Sequence, residues 1–123
     1  MGMFDDLTSE LPIPGEPQPK RLSFQTKDFD RYLEHYTIRA DGSLWRDAGD
    51  NWRTGVVPFH GMLNFYTFES DPSGKSPGMW FEYDAKFTDG KCLGIECVEI
   101  HRSQFGKEPE ILYRRVVSEE VRK

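Results

Sequence analysis

Residues able to do chemistry are scattered along this 123-residue chain, and few stand at the spacings that chemistry requires. Cys92 and Cys97 are five positions apart. Along an extended strand that separation spans about 16 Å and turns the side chains to opposite faces, whereas a disulfide needs Cα atoms within about 7 Å. Free thiols are the expectation, as in a reducing compartment. With no second pair or nearby His, the two also make poor zinc spacing. Glu96 and Glu99 flank Cys97 and oppose the lowered pKa that a nucleophilic thiolate needs. His35, His60 and His101 are too widely spaced for a local metal motif. Gly74-Lys75-Ser76 has the ending of a phosphate-binding P-loop, but its first Gly would fall at Glu69 and Pro77-Gly78 stops the helix that must follow. Neither a G-x-S-x-G elbow nor a G-x-G-x-x-G turn occurs. Glu82 and Asp84 would share one strand face, an arrangement far commoner on solvated strands than in acid–base pairs. The chain is therefore read as a non-enzyme, with no catalytic residue, no metal ligand and no cofactor assigned.

Binding chemistry is better represented. Trp80 lies beside Glu82 and Asp84, and Glu96 joins them if the chain folds back after residue 90. Tryptophan framed by charge is a common hot-spot composition, and an acidic frame suits a basic partner by speeding encounter. The expected protein-binding surface is Trp80, Glu82, Asp84 and Glu96. An alternative set, Arg39, Arg46 and Arg53 near Trp45 and Trp52, has the guanidinium and aromatic groups that an anionic nucleotide signal would need, in a binding or sequestering protein.

Two Asp-Gly pairs, Asp41-Gly42 and Asp89-Gly90, separate runs of alternating apolar and polar residues, and these runs must position both sets. Asp-Gly between such runs signals a hairpin, because Gly accepts the positive φ of the turn. A three-residue loop with Gly in a bulge would pair Ile38 with Leu44 and Thr37 with Trp45. The same form at the second tip would pair Ala85 with Leu93, Tyr83 with Ile95 and Phe81 with Cys97. Since a one-residue slip sends an apolar set to the other face, the bulged form is expected at both tips. Phe81, Tyr83, Ala85, Phe87, Leu93 and Ile95 then face inward, with Trp80, Glu82, Asp84, Lys86 and Glu96 outward. The apolar phase reverses at Val98 and Ile100, which predicts a bulge near 97–98.

Pro12, Pro14, Pro17 and Pro19 make residues 1–20 a Pro-rich extended arm, leaving 21–123 as the single β-rich domain. Residues 22–26 read as the first strand. Asp28 could cap a short helical turn with Phe29, Tyr32 and Leu33 on one face. Residues 62–68 read as a central strand with aromatics on both faces, 70–78 as a turn and 111–117 as a last strand. The fold expected is mainly β, a single antiparallel meander forming a twisted sheet or open barrel, with little helix.

A net charge of −5 with 30% charged residues argues against a nucleic-acid partner, which would call for a basic stripe. No apolar stretch approaches the roughly 18 residues of a membrane helix and no signal pattern opens the chain, so no membrane partner and a cytoplasmic location are expected. Aromatics are 14% of residues, enough to build the core where aliphatics are few.

The segments at 24–28 (Phe-Gln-Thr-Lys-Asp), Tyr36-Thr37-Ile38 with Asp41-Gly42-Ser43-Leu44-Trp45, His60-Gly61 with Asn64-Phe65-Tyr66-Thr67, and 86–91 (Lys-Phe-Thr-Asp-Gly-Lys) resemble those of small bacterial and phage proteins of unassigned function. The resemblance covers residues 24–100 and rests on turns and strand cores. It implies a phage or prophage protein that binds a host protein, as modulator or inhibitor of a host enzyme or defence system. Exposed strand edges add a homo-oligomer as a further expected partner.

Overall fold

The computed structural model describes residues 5–20, 23–27, 34–47 and 54–115. The predicted helical turn at Asp28, Phe29, Tyr32 and Leu33 lies outside them, as do Trp52 and Arg53. Among the described residues, alternating side chains make nine strands: β1 (Asp5–Ser9), β2 (Ser23–Thr26), β3 (His35–Ile38), β4 (Leu44–Asp47), β5 (Gly55–Val56), β6 (Gly61–Ser70), β7 (Gly78–Thr88), β8 (Lys91–Gln104) and β9 (Lys107–Arg114). They form one sheet in the order β5-β4-β3-β1-β2-β6-β7-β8-β9. Only β1 and β3 run parallel; the other neighbours are antiparallel. The described residues contain no helix, and the mainly β fold expected from the sequence is the fold found.

The first hairpin takes the expected register, Ile38 opposite Leu44 and Thr37 opposite Trp45. Gly42 has φ 90° and donates its N–H to Arg39 O at 2.8 Å, as a tight turn ending in a Gly bulge requires. The second hairpin does not follow suit. Thr88 faces Lys91 across a two-residue turn in which Asp89 (φ 49°) and Gly90 (φ 82°) both have positive φ, the signature of the tighter primed turn. The extra residue sits instead at Leu93, where the register shifts, so Ala85 pairs with Ile95 and Tyr83 with Cys97. Leu93, expected inside, is therefore turned outward, beside Gly94, which opposes outward-facing Lys86. A second shift at Val98 fits the bulge expected near 97–98 and brings Ile100 opposite Phe81 in the core.

The sheet curls around Leu7, Phe24, Tyr36, Ile38, Leu44, Leu63, Phe65, Phe81, Tyr83, Phe87 and Ile100. Phe24 meets Phe65 edge-on at 5.0 Å and Tyr83 at 5.7 Å. Curling brings the two Asp-Gly tips together: Leu44 N–H donates to Gly90 O (3.1 Å) and Cys92 N–H to Gly42 O (2.7 Å), beside a Ser43–Lys91 bridge. β5 and β9 remain unjoined ends of the order, so the barrel is open.

The boundary expected at residue 20 does not separate an arm from a domain. β1 lies inside the sheet, between β2 and β3. The Pro-rich stretch that follows buries Ile13 and Pro19 and sets Gly15 against Cys97 and Ile100, where an added Cβ would lie 3.2 Å from Cys97 Sγ. Gln18 Nε2 closes it into a strap, donating to Ile13 O (2.7 Å) and Gly15 O (2.6 Å). Prolines suit this role because the strap adds no ladder to the sheet.

Candidate functional site: the outer face of strands β6 to β9

Even-numbered residues of β6 and β7 point away from the core, and the register aligns them in rows. Phe68, Trp80, His101 and Ile111 form one row; Tyr66, Glu82, Glu99 and Arg114 the next; Asn64, Asp84 and Glu96 a third. The four residues expected at a protein-binding surface, Trp80, Glu82, Asp84 and Glu96, thus share one face. Trp80 stands in a stack of rings, 5.0 Å from Tyr66 and 6.1 Å from His101, with interplanar angles of 19° and 15°. Its indole N–H donates to Glu82 Oε1 at 3.2 Å.

The carboxylates on this face are not bare. Asn64 Nδ2 donates to Glu82 Oε2 (2.9 Å) and Asp84 Oδ1 (3.0 Å). Arg115 Nη1 reaches Glu96 Oε1 (2.5 Å) and Asp84 Oδ2 (3.1 Å). The Glu96 hydrogen bond, with Asp84 assisting against burial, raises the Arg115 pKa further. Burial works to raise the Glu99 pKa, but hydrogen bonds with His101 Nδ1 and Arg114 Nε outweigh it and leave it lowered. The field expected to draw a basic partner is partly offset within the face by Arg114 and Arg115. Apolar side chains face water on this face as well: Leu93 (62% exposed), Met62 (53%), Phe68 (47%) and Ile111 (40%). Residues 62–68 thus bury one face, Leu63 and Phe65, and display the other.

Compared with family models, curated proteins and solved structures, the chain matches none.

The alternative ligand set does not converge among the described residues. Arg39 lies over the Trp45 ring, its Cζ 4.0 Å from the centroid. Arg46, the next residue along β4, turns inward and donates to Tyr36 Oη at 3.1 Å, with Glu34 3.8 Å away. The three histidines are likewise apart: His35 on β3 lies 3.3 Å from Thr8 Oγ1, His60 precedes β6, and His101 belongs to the outer stack. No group of three metal-ligating side chains occurs among the described residues. The Gly74-Lys75-Ser76 fragment serves a loop. Asp71 accepts from the backbone and hydroxyl of Ser73 and, through its other oxygen, from those of Ser76. These bonds, the Ser73 hydroxyl first, hold the Asp71 pKa down to about 2. Burial pushes the Cys97 thiol up to about 11, the reverse of nucleophile activation, and raises Cys92 as well.

A groove of about 790 Å³ opens where β2 and β6 part after a single residue pair, Gln25 with Tyr66. Phe24, Phe68 and Met79 are apolar in its lining, where three acids, Asp6, Glu69 and Asp71, face two bases, Lys20 and Arg102. Sequence reasoning missed Met62, Phe68 and Leu93 as surface residues. Gly94 was the overlooked signal, since Gly inside a strand often marks a bulge.

Proposed function

We propose that this chain is a non-enzymatic protein-binding module whose contact surface is the outer face of β6–β9, centred on Trp80 and Phe68. The observation that carries the proposal is the row in which Phe68 (47% exposed) and Ile111 (40%) stand in solvent on either side of the stacked Trp80 and His101, since contiguous exposed apolar patches mark interaction sites. Trp80 is fixed between two rings and so reaches a partner with little ordering cost. Glu82, Asp84 and Glu96, bonded by Asn64 and Arg115, form a polar rim that stays acidic, with part of its charge offset by Arg115. The resemblance to phage and bacterial proteins extends the proposal to a modulator or inhibitor of a host enzyme or defence system. A nucleotide site is disfavoured by Arg39, which occupies a Trp45 face that a base would need.

Affinity capture from a bacterial host, followed by mass spectrometry, tests this. The unmodified chain should retain one stoichiometric protein. Trp80→Ala and Phe68→Asp should each weaken that complex by about 2 kcal/mol, roughly thirtyfold in Kd, with the fold intact by circular dichroism. Full retention by both folded variants refutes the surface. A thermal-shift panel of nucleotides should leave Tm unchanged, because a ligand at 100 times its Kd would add about 2.7 kcal/mol.

A further inference from the structure

The tip-proximal end of the same face holds a knob and a hole side by side. The bulge extrudes Leu93, 62% exposed, at the expense of burying it. Gly94, next along β8, faces outward opposite Lys86 with open space where a Cβ would stand. The result is a dimple of about 230 Å³ with Met62, Lys86, Leu93 and Glu96 in its lining. Its charges cancel locally. Asp84 and Glu96 are matched by Lys86 and Arg115, on a chain whose net charge is −5.

We propose that this patch is an isologous dimer contact in which Leu93 of each copy enters the dimple over Gly94 of the other. A two-fold axis requires a surface to complement itself, and a knob adjoining its own hole does so. The same axis sets Lys86 of one copy against Glu96 of the other, so the charge pattern is self-complementary too. Two copies of an acidic chain repel over most of their surface, and this balanced patch removes that repulsion where they meet. The Trp80 row lies six residues along β7, about 20 Å away, and stays open in the dimer. The contact shares the acidic rim residues Asp84 and Glu96 with the partner surface proposed above, but not its Trp80–Phe68 row.

The patch is smaller than the roughly 800 Å² per partner of a standard interface, so a weak dimer is expected, monomeric near ~1 µM and dimeric near ~100 µM. Sedimentation velocity across that range is the test. Leu93→Asp should leave a folded monomer. Gly94→Leu fills the hole where a side chain has room, so it should keep the fold and abolish the dimer. Lys86→Glu should lower association at least tenfold, and Glu96→Lys added to it should restore it. A monomer at ~100 µM overturns the proposal, as does a dimer that survives Gly94→Leu or Leu93→Asp. Host-protein capture by a Gly94→Leu monomer should be unaffected, which separates this contact from the Trp80 surface.

Discussion

Tyr83 packs its ring in the core, stacked on Phe65 at 5.6 Å, while its hydroxyl is buried with no hydrogen-bond partner among the described residues. Burial raises its pKa far above the ordinary phenol value. A buried hydroxyl without a partner costs stability that an apolar isostere recovers. Tyr83→Phe should therefore be neutral or stabilising in urea denaturation, and a loss above about 1 kcal/mol would show that the hydroxyl is bonded after all. Asp71 offers a pH test at the same scale. Its folded pKa of about 2 lies below the unfolded value of 3.8, so its support for the 71–77 loop is complete above the higher value and fades as pH falls through the lower. The amide resonances of Ser73 and Ser76 should titrate with a midpoint near 2; a midpoint at 3.8 would mean the carboxylate is not held.

At the scale of elements, much was legible because local chemistry decides it. Asp-Gly between alternating runs located both hairpins, and the phase change after Cys97 located one bulge. The second tip was misassigned because apolar matching favoured Leu93 opposite Ala85, while positive φ at Asp89 as well as Gly90 permits a tighter turn. Burial then goes to Cys97 and Ile100, and Leu93 is left outside. Gly78 marks another element-level constraint. It has φ 146°, and a Cβ there would collide with the Glu69 carbonyl oxygen and lie 2.7 Å from Phe68 Cζ. The Phe68 ring lies over the bare backbone, and Gly78→Ala should cost about 2 kcal/mol through overpacking and backbone strain. Combining it with Phe68→Ala should cost less than the sum, and strict additivity would deny the contact. The candidate face was legible in Trp80, Glu82, Asp84 and Glu96. The partners of its carboxylates, the Asn64 amide and the Arg115 guanidinium, come from distant positions that no local pattern connects.

At the scale of the whole molecule, sequence signals failed where pairing is long-range. Nothing local announces that β1 runs parallel to β3, or that a proline-rich stretch lies on β8. The strap makes a measurable prediction. Ile13→Ala should destabilise by about 2–4 kcal/mol, as for a core residue, whereas a loosely attached tail would lose almost nothing. Cys97 beneath it should resist alkylation under native conditions while half-buried Cys92 reacts first, and Gln18→Ala should speed labelling of Cys97 by loosening the loop. Equal rates for the two thiols would show that the strap does not cover β8. The Cys97 pKa of about 11 lies above the usual 9.0, so its contribution is full below pH 9 and is lost as pH rises towards 11.

The meeting of the two glycine tips carries a consequence for how the chain comes apart. Gly42 accepts from Cys92 and Gly90 from Leu44, so each ribbon supplies the other's missing acceptor, like the halves of a clasp. Neither half can melt without stranding polar backbone in the other, which binds the early and late parts of the chain into a single cooperative unit. Hydrogen exchange at Leu44 and Cys92 should therefore slow together and reach the same limiting free energy, although the two amides belong to different hairpins.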